Sequence, residues 1–96
     1  MIKIYKTDIF GDWFSNLRDK KAQKRIQARI DRAIEGNFGD YKSVGENVFE
    51  MRIHYGAGYR VYFIQQGSEI VVLLAGGDKS SQQKDIQTAL KLAREL

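Results

Sequence analysis

Arg52, Arg60 and Lys79 are the side chains from which this chain can most readily build chemistry. They lie in the stretch Phe49 to Ala89, FEMRIHYGAGYRVYFIQQGSEIVVLLAGGDKSSQQKDIQTA. Three strand-like runs are joined there by two tight glycine turns, and a loop then feeds into a helix. Arg52 and Arg60 fall on the polar alternation of their strands and Lys79 on the exit loop. Cations fixed on a rigid sheet, with aromatic residues between them, suit a curved surface that grips a phosphate chain. A plainer reading stands beside this one. Arg60 is placed to pair with Glu50 across two strands, and Lys79 can simply flank a helix start, although a cation there opposes the helix dipole.

A second group of cations lies upstream. Between Arg18 and Arg32 the chain has seven basic residues (Arg18, Lys20, Lys21, Lys24, Arg25, Arg29, Arg32) and two acidic ones, Asp19 and Asp31. That segment carries +5 of a formal net charge of +4, so the remainder sums to −1. Such a stripe favours a polyanion or an acidic protein as partner. It is also what a solvated helix face looks like, and both readings stay open.

Composition excludes several classes. Ninety-six residues make one domain, 1–96, with a modest core. Hydrophobic residues at 43% and aromatics at 11% argue against disorder. With no cysteine, a disulfide scaffold and a thiolate metal site are out, and a reducing cytoplasmic location is expected. MIKIYKTDIF has no signal-peptide character, and the longest apolar run, Ile70 to Ala75, is too short for a bilayer, so no membrane is expected. Gly56-Ala57-Gly58 is followed by a strand, so it is a turn and not a dinucleotide fingerprint. No Walker loop, metal motif or nucleophile triad is present, and no cofactor is expected.

The elements that must position these residues follow from periodicity. Ile2 to Tyr5 alternates as a short strand. Thr7 or Asp8 can cap a helix whose stripe is Ile9, Phe10, Trp13, Phe14 and Leu17, aromatic residues that belong to a core. A second helix is expected from about Lys21 to Glu35, with Ala22, Ile26, Ile30, Ala33 and Ile34 inward and Gly36 as its left-handed stop. Asn37 to Asn47 reads as a polar loop. Val48 to Tyr55 alternates Phe49, Met51 and Ile53 against Glu50, Arg52 and His54, as a sheet with one wet face would. Tyr59 to Gln65 is the next strand. Ile70 to Leu74, apolar throughout, should be central and covered on both sides. Ser80 with Gln83 suggests a capping box, and Ile86, Ala89, Leu90, Ala93 and Leu96 the buried stripe of a last helix. The order β-α-α-β-β-β-α describes an α+β domain, with a helical hairpin packed on a small, mostly antiparallel sheet and a C-terminal helix.

Three segments carry a resemblance: Gly36-Asn37-Phe38-Gly39-Asp40, Arg52 to Phe63 (RIHYGAGYRVYF), and Gly76 to Gln82 (GGDKSSQ) followed by Asp85-Ile86. Together they run in register from Gly36 to Ile86. They resemble the RelE/ParE superfamily of bacterial toxins, and most closely its HigB-like branch, also described as addiction-module killer or phage Gp49-like proteins. The resemblance implies the toxin of a type II toxin–antitoxin module. It further implies a metal-independent endoribonuclease that cuts messenger RNA on the ribosome, with a cognate antitoxin, helix-turn-helix and DNA-binding, as partner in a hetero-oligomer. In the family's pattern Arg60 matches a phosphate-contacting arginine and Lys79 a basic position of the same site. Arg52 is then a neighbouring-strand candidate, and His54, the only histidine, the candidate for proton transfer. Tyr62 shares the face of Arg60, where it could stack a base. Lys20, Lys21, Lys24 and Arg25 would bind RNA. Gln82 and Gln83 stand where relatives often carry a tyrosine or histidine. A ParE-like DNA gyrase inhibitor and a non-toxic basic RNA-binding or phage accessory domain are the alternative readings.

Overall fold

The computed structural model describes residues 1–96. Its elements are β1 Lys3–Lys6, α1 Asp8–Ser15, α2 Lys20–Ile34, β2 Tyr41–Gly45, β3 Val48–Ile53, β4 Tyr59–Gln66, β5 Ile70–Gly77 and α3 Gln82–Arg94, with a 3₁₀ turn at Lys79–Ser81. The strands form one sheet in the order β1-β5-β4-β3-β2. β1 runs parallel to β5 and every other neighbouring pair is antiparallel. This is the α+β class that the periodicities predict.

Side-chain caps fix the helix starts. The Thr7 hydroxyl accepts the Phe10 N–H at 3.1 Å and donates to the Leu74 carbonyl at 2.6 Å, so it caps α1 and ties it to β5. The Asp19 carboxylate accepts the N–H groups of Lys21 and Ala22, which starts α2 at Lys20. The expected capping box at Ser80 and Gln83 does not form. Asp78 instead accepts from the backbone and hydroxyl of Ser80 in the 3₁₀ turn, and the N-cap of α3, Ser81, makes no side-chain capping bond.

The hairpin α1–α2 covers one sheet face. Phe10, Ile26, Ile30 and Ala33 pack there on Met51, Ile53, Val61, Phe63, Val71 and Leu73. The other face, expected to be wet, is covered by α3, whose Ala89 and Leu90 lie on Val48, Tyr62, Ile64, Leu74 and Ala75. β5 is therefore interior and covered on both sides, as its unbroken apolar run predicts. Ile9 and Leu96, assigned to the buried stripes, are exposed.

The segment read as a loop from Asn37 to Asn47 contains a strand. β2 pairs antiparallel with β3 through a two-residue turn, Glu46-Asn47, whose φ values of 50° and 63° are those a type I′ hairpin requires. β2 is an edge strand, mostly exposed on both sides, so it shows no apolar alternation to read.

A bulge in β5 sets the register at the site. Tyr62 pairs with Ala75 and Phe63 with Leu73, which leaves Leu74 as the extra residue. Beyond the bulge, Arg60 stands opposite Gly77 and Val61 opposite Gly76. Neither glycine is a loop residue; both end β5. A Cβ on Gly76 would lie 2.2 Å from the Trp13 ring of α1, and one on Gly77 would lie 1.7 Å from an Asp85 carboxylate oxygen of α3. The paired glycines let a helix from each layer touch the sheet backbone where the site begins.

Candidate functional site

Paired residues of neighbouring strands share a face, so the register builds the site in rows. On the α3 face one row is Arg52, Arg60 and Gly77, and the next is Glu50, Tyr62 and Ala75. Glu50 is completely buried. Its carboxylate lies between the two arginines, with Arg52 Nε at 3.8 Å and Arg60 Nε at 3.7 Å. The Tyr62 hydroxyl and the Gln82 side-chain amide each donate to Glu50 Oε2 at 2.9 Å. Oε1 and both arginine Nε atoms are buried without a hydrogen-bond partner. A buried carboxylate is stable only with such company. Here it holds two guanidiniums side by side while leaving their hydrogen-bonding capacity incompletely used.

Arg60 is nearly enclosed, with 12% of its side chain exposed, whereas Arg52 keeps 34%. Arg60 Nη1 donates to the Gly58 carbonyl at 2.6 Å, folding the side chain back on the β3–β4 turn. Gly58 has φ +76°, and a Cβ there would meet Arg60 Nη1 at 3.3 Å and Lys79 Cβ at 3.5 Å. The backbone N–H of Lys79 donates to the Ala57 carbonyl, so the 3₁₀ turn is fastened to the same glycine turn. Lys79 itself is exposed. The structure thus gathers Arg52, Arg60 and Lys79 about Gly58 at one end of the sheet. A small cleft of about 70 Å³, lined by Arg52, Ile53, His54, Gly58, Tyr59 and Arg60, opens there.

His54 lies on the rim of that cleft, 72% exposed, with Nε2 at 2.5 Å from Asp40 Oδ2. The hydrogen bond with His54 holds the Asp40 carboxyl below its ordinary value. A carboxylate on one ring nitrogen orients the ring and leaves the other for a proton to move through.

Tyr62 is placed differently from the expectation. Its ring is wholly buried under α3 and presents no face to a base. Burial, then the bond to Glu50, pushes its hydroxyl far above the usual tyrosine value, so it works as a fixed donor. Lys20, Lys21, Lys24 and Arg25 are exposed on α2, away from the arginine row. Arg25 lies over the Tyr55 ring at 4.6 Å. Arg29, counted in the basic stripe, is structural. Its guanidinium donates to the carbonyls of Arg52 at 2.6 Å, Phe38 at 3.0 Å and Asp40 at 3.3 Å, joining α2 to β3 and the turn before β2.

Sequence reasoning named Glu50 only as a pairing partner and did not find Asp40 or the donor role of Gln82. Glu50 occupies a polar alternation position, and only the docking of α3 makes that position interior.

This is an α+β fold with a buried carboxylate presenting paired arginines at the end of an antiparallel sheet. The family described as "Phage derived protein Gp49-like (DUF891)" matches residues 12–96. An uncharacterized protein of Haemophilus influenzae is 52% identical over 95 residues, covering 99% of this chain and 96% of that protein. The chain belongs to the Gp49-like family, part of the RelE/HigB-like toxin superfamily, a membership that suggests the toxin of a toxin–antitoxin module.

Proposed function

We propose that this chain is the toxin of a type II toxin–antitoxin module, of the HigB-like branch, and that it stops translation by cutting messenger RNA on the ribosome. The observation that carries the reading is the Arg52–Glu50–Arg60 arrangement, with Lys79 beside it. Two guanidiniums held side by side by the buried Glu50 carboxylate suit the equatorial oxygens of a phosphate that gains charge in a transition state.

In the reaction a ribose 2′-oxygen attacks the adjacent phosphorus as its proton leaves. The P–O5′ bond breaks, and the 5′-oxygen takes up a proton. The products are a 2′,3′-cyclic phosphate and a 5′-hydroxyl. Arg60 and Arg52 stabilise the phosphorane, Lys79 adds a mobile cation, and His54, oriented by Asp40, moves a proton. Tyr62 and Gln82 act through Glu50. The exposed cations of α2 meet RNA. A free enzyme of this kind would arrest its host, so a cognate antitoxin, acidic where it touches and helix-turn-helix elsewhere, forms a hetero-oligomer with it in the cytoplasm.

Induction of the chain alone, followed by pulse labelling of protein and DNA, tests the reading. Protein synthesis should stop first. Early loss of DNA synthesis with DNA damage would instead support gyrase inhibition.

A further inference from the structure

We propose that the cleft between α2 and β3 is a second phosphate subsite, in which the RNA strand continues beyond the Arg52–Arg60 row. The inference rests on RNA being the substrate and adds where its flanking backbone runs. The cleft has a volume of about 350 Å³ and is lined by Arg25, Ala28, Arg29, Arg32, Gly39, Asp40, Ile53 and His54. It shares Ile53 and His54 with the small cleft at Arg60, and Arg25 and Ala28 with a shallower one that adds Lys21 and Lys24. The three make one path across the molecule, from α2 over His54 to Arg60.

The chemistry of the path is one-sided. Three arginines line the middle cleft against one carboxylate, Asp40, which His54 already holds. Arg29 gives three of its five N–H donors to backbone carbonyls, so its charge remains while most of its hydrogen-bonding capacity is used. Arg25 and Arg32 are the exposed guanidiniums left to meet an anion. Burial first, and then the neighbouring charge of Arg32, lower the pKa of Arg29 against the opposing pull of Asp40. An anion between Arg29 and Arg32 would offset their mutual repulsion.

The occupant is single-stranded. At about 350 Å³ the cleft is at the small end of ligand pockets, room for one unit of a chain. The Arg25–Tyr55 stack beside it is the pairing of cation and aromatic plane that single-strand grooves use.

The test is fluorescence anisotropy of the isolated protein with a 5′-labelled 2′-O-methyl RNA hexamer, titrated over a range of potassium chloride. The methyl groups block 2′-oxygen attack, so binding is read without cleavage. For a single strand each phosphate contact contributes about 0.7 to the salt slope. Arg25→Ala and Arg32→Ala should each lower the slope by about 0.7, and the double variant by about 1.4. Arg25→Lys should retain it. Circular dichroism serves as the folding control. An unchanged slope in the folded double variant would overturn the proposal. So would tighter binding of a duplex of equal length, or displacement of the hexamer by polyglutamate at equal charge, which would make the cleft a site for an acidic protein. Cleavage plays no part in the readout, so wild-type protein inactive on ribosomes but showing these slopes would sink the proposed activity and leave the subsite standing.

Discussion

Glu50 decides what the other site residues can do. It sits at the junction of two guanidiniums, a phenol and an amide, and it is the only charged side chain that is fully buried. Breaking a buried ion pair from one side costs about 3–5 kcal/mol. Glu50→Ala should fall near 3 kcal/mol, because Arg52 keeps contact with water. Glu50→Gln retains an acceptor for Tyr62 and Gln82 and should cost less. Both should lower kcat more than they raise KM, since the arginines remain but are no longer held. Denaturation curves with cleavage kinetics measure this, and a Glu50→Gln protein equal to wild type in both would remove Glu50 from the account. Tyr62 gives an independent test through pH. Its hydroxyl is held neutral in the fold well above the usual tyrosine pKa of about 10. The unfolded chain therefore releases a proton there before the folded one does. The stability that this group contributes is complete below about pH 10 and falls as pH rises further. Tyr62→Phe should remove its share of that alkaline decline in stability–pH profiles, and an identical decline in the variant would contradict the burial argument.

At the scale of elements, the site depends on how closely two helices approach one strand end. Gly77→Ala puts a methyl group where the Asp85 carboxylate lies, opposite Arg60. The Asp85 carboxylate must then swing away and break its bond from Ser81, loosening the first turn of α3 from which Gln82 reaches Glu50. Overpacking of this kind costs typically 1–3 kcal/mol. Urea midpoints should fall accordingly, and cleavage should fall more than stability alone explains. A variant with the wild-type midpoint and rate would show that the contact is dispensable. The same region shows what the sequence could and could not reveal. The apolar spacing of Ile26, Ile30 and Ala33 and the alternation of Met51, Ile53 and Val61 are local, so the hairpin and its sheet face were legible. The run Ile70 to Leu74 likewise announced an interior strand. The role of Gly76 and Gly77 is not legible locally, because what they accommodate, Trp13 and Asp85, is distant in sequence. β2 escaped notice because an exposed edge strand carries no alternation, although the Glu46-Asn47 turn that makes it lay in view. Tyr62 was placed correctly on the face of Arg60. That the face is roofed by α3 is a tertiary fact, and it turns a residue expected to stack bases into a buried donor.

Across the whole molecule, the clefts at the basic stripe of α2 and at the arginine row are neighbours of a middle cleft, sharing Arg25 and Ala28 with it on one side and Ile53 and His54 on the other. No helix is long and apolar enough to cross a membrane. Family membership suggests a toxin, and the proposed phosphate chemistry rests on the buried carboxylate with its arginines. The central claim is that Arg60 stabilises a transition state. Removing one positioned donor typically costs about 2.7–4 kcal/mol of barrier, roughly 10²–10³ in rate. The most direct measurement is primer-extension mapping of messenger cleavage on programmed ribosomes with Arg60→Ala, alongside Arg60→Lys, which keeps a charge beside Glu50, and with circular dichroism confirming that each variant folds. Arg60→Ala should lose cleavage by that factor at unchanged cut positions, and Arg60→Lys should fall between it and wild type. Folded Arg60→Ala protein that cuts at the wild-type rate would contradict the account.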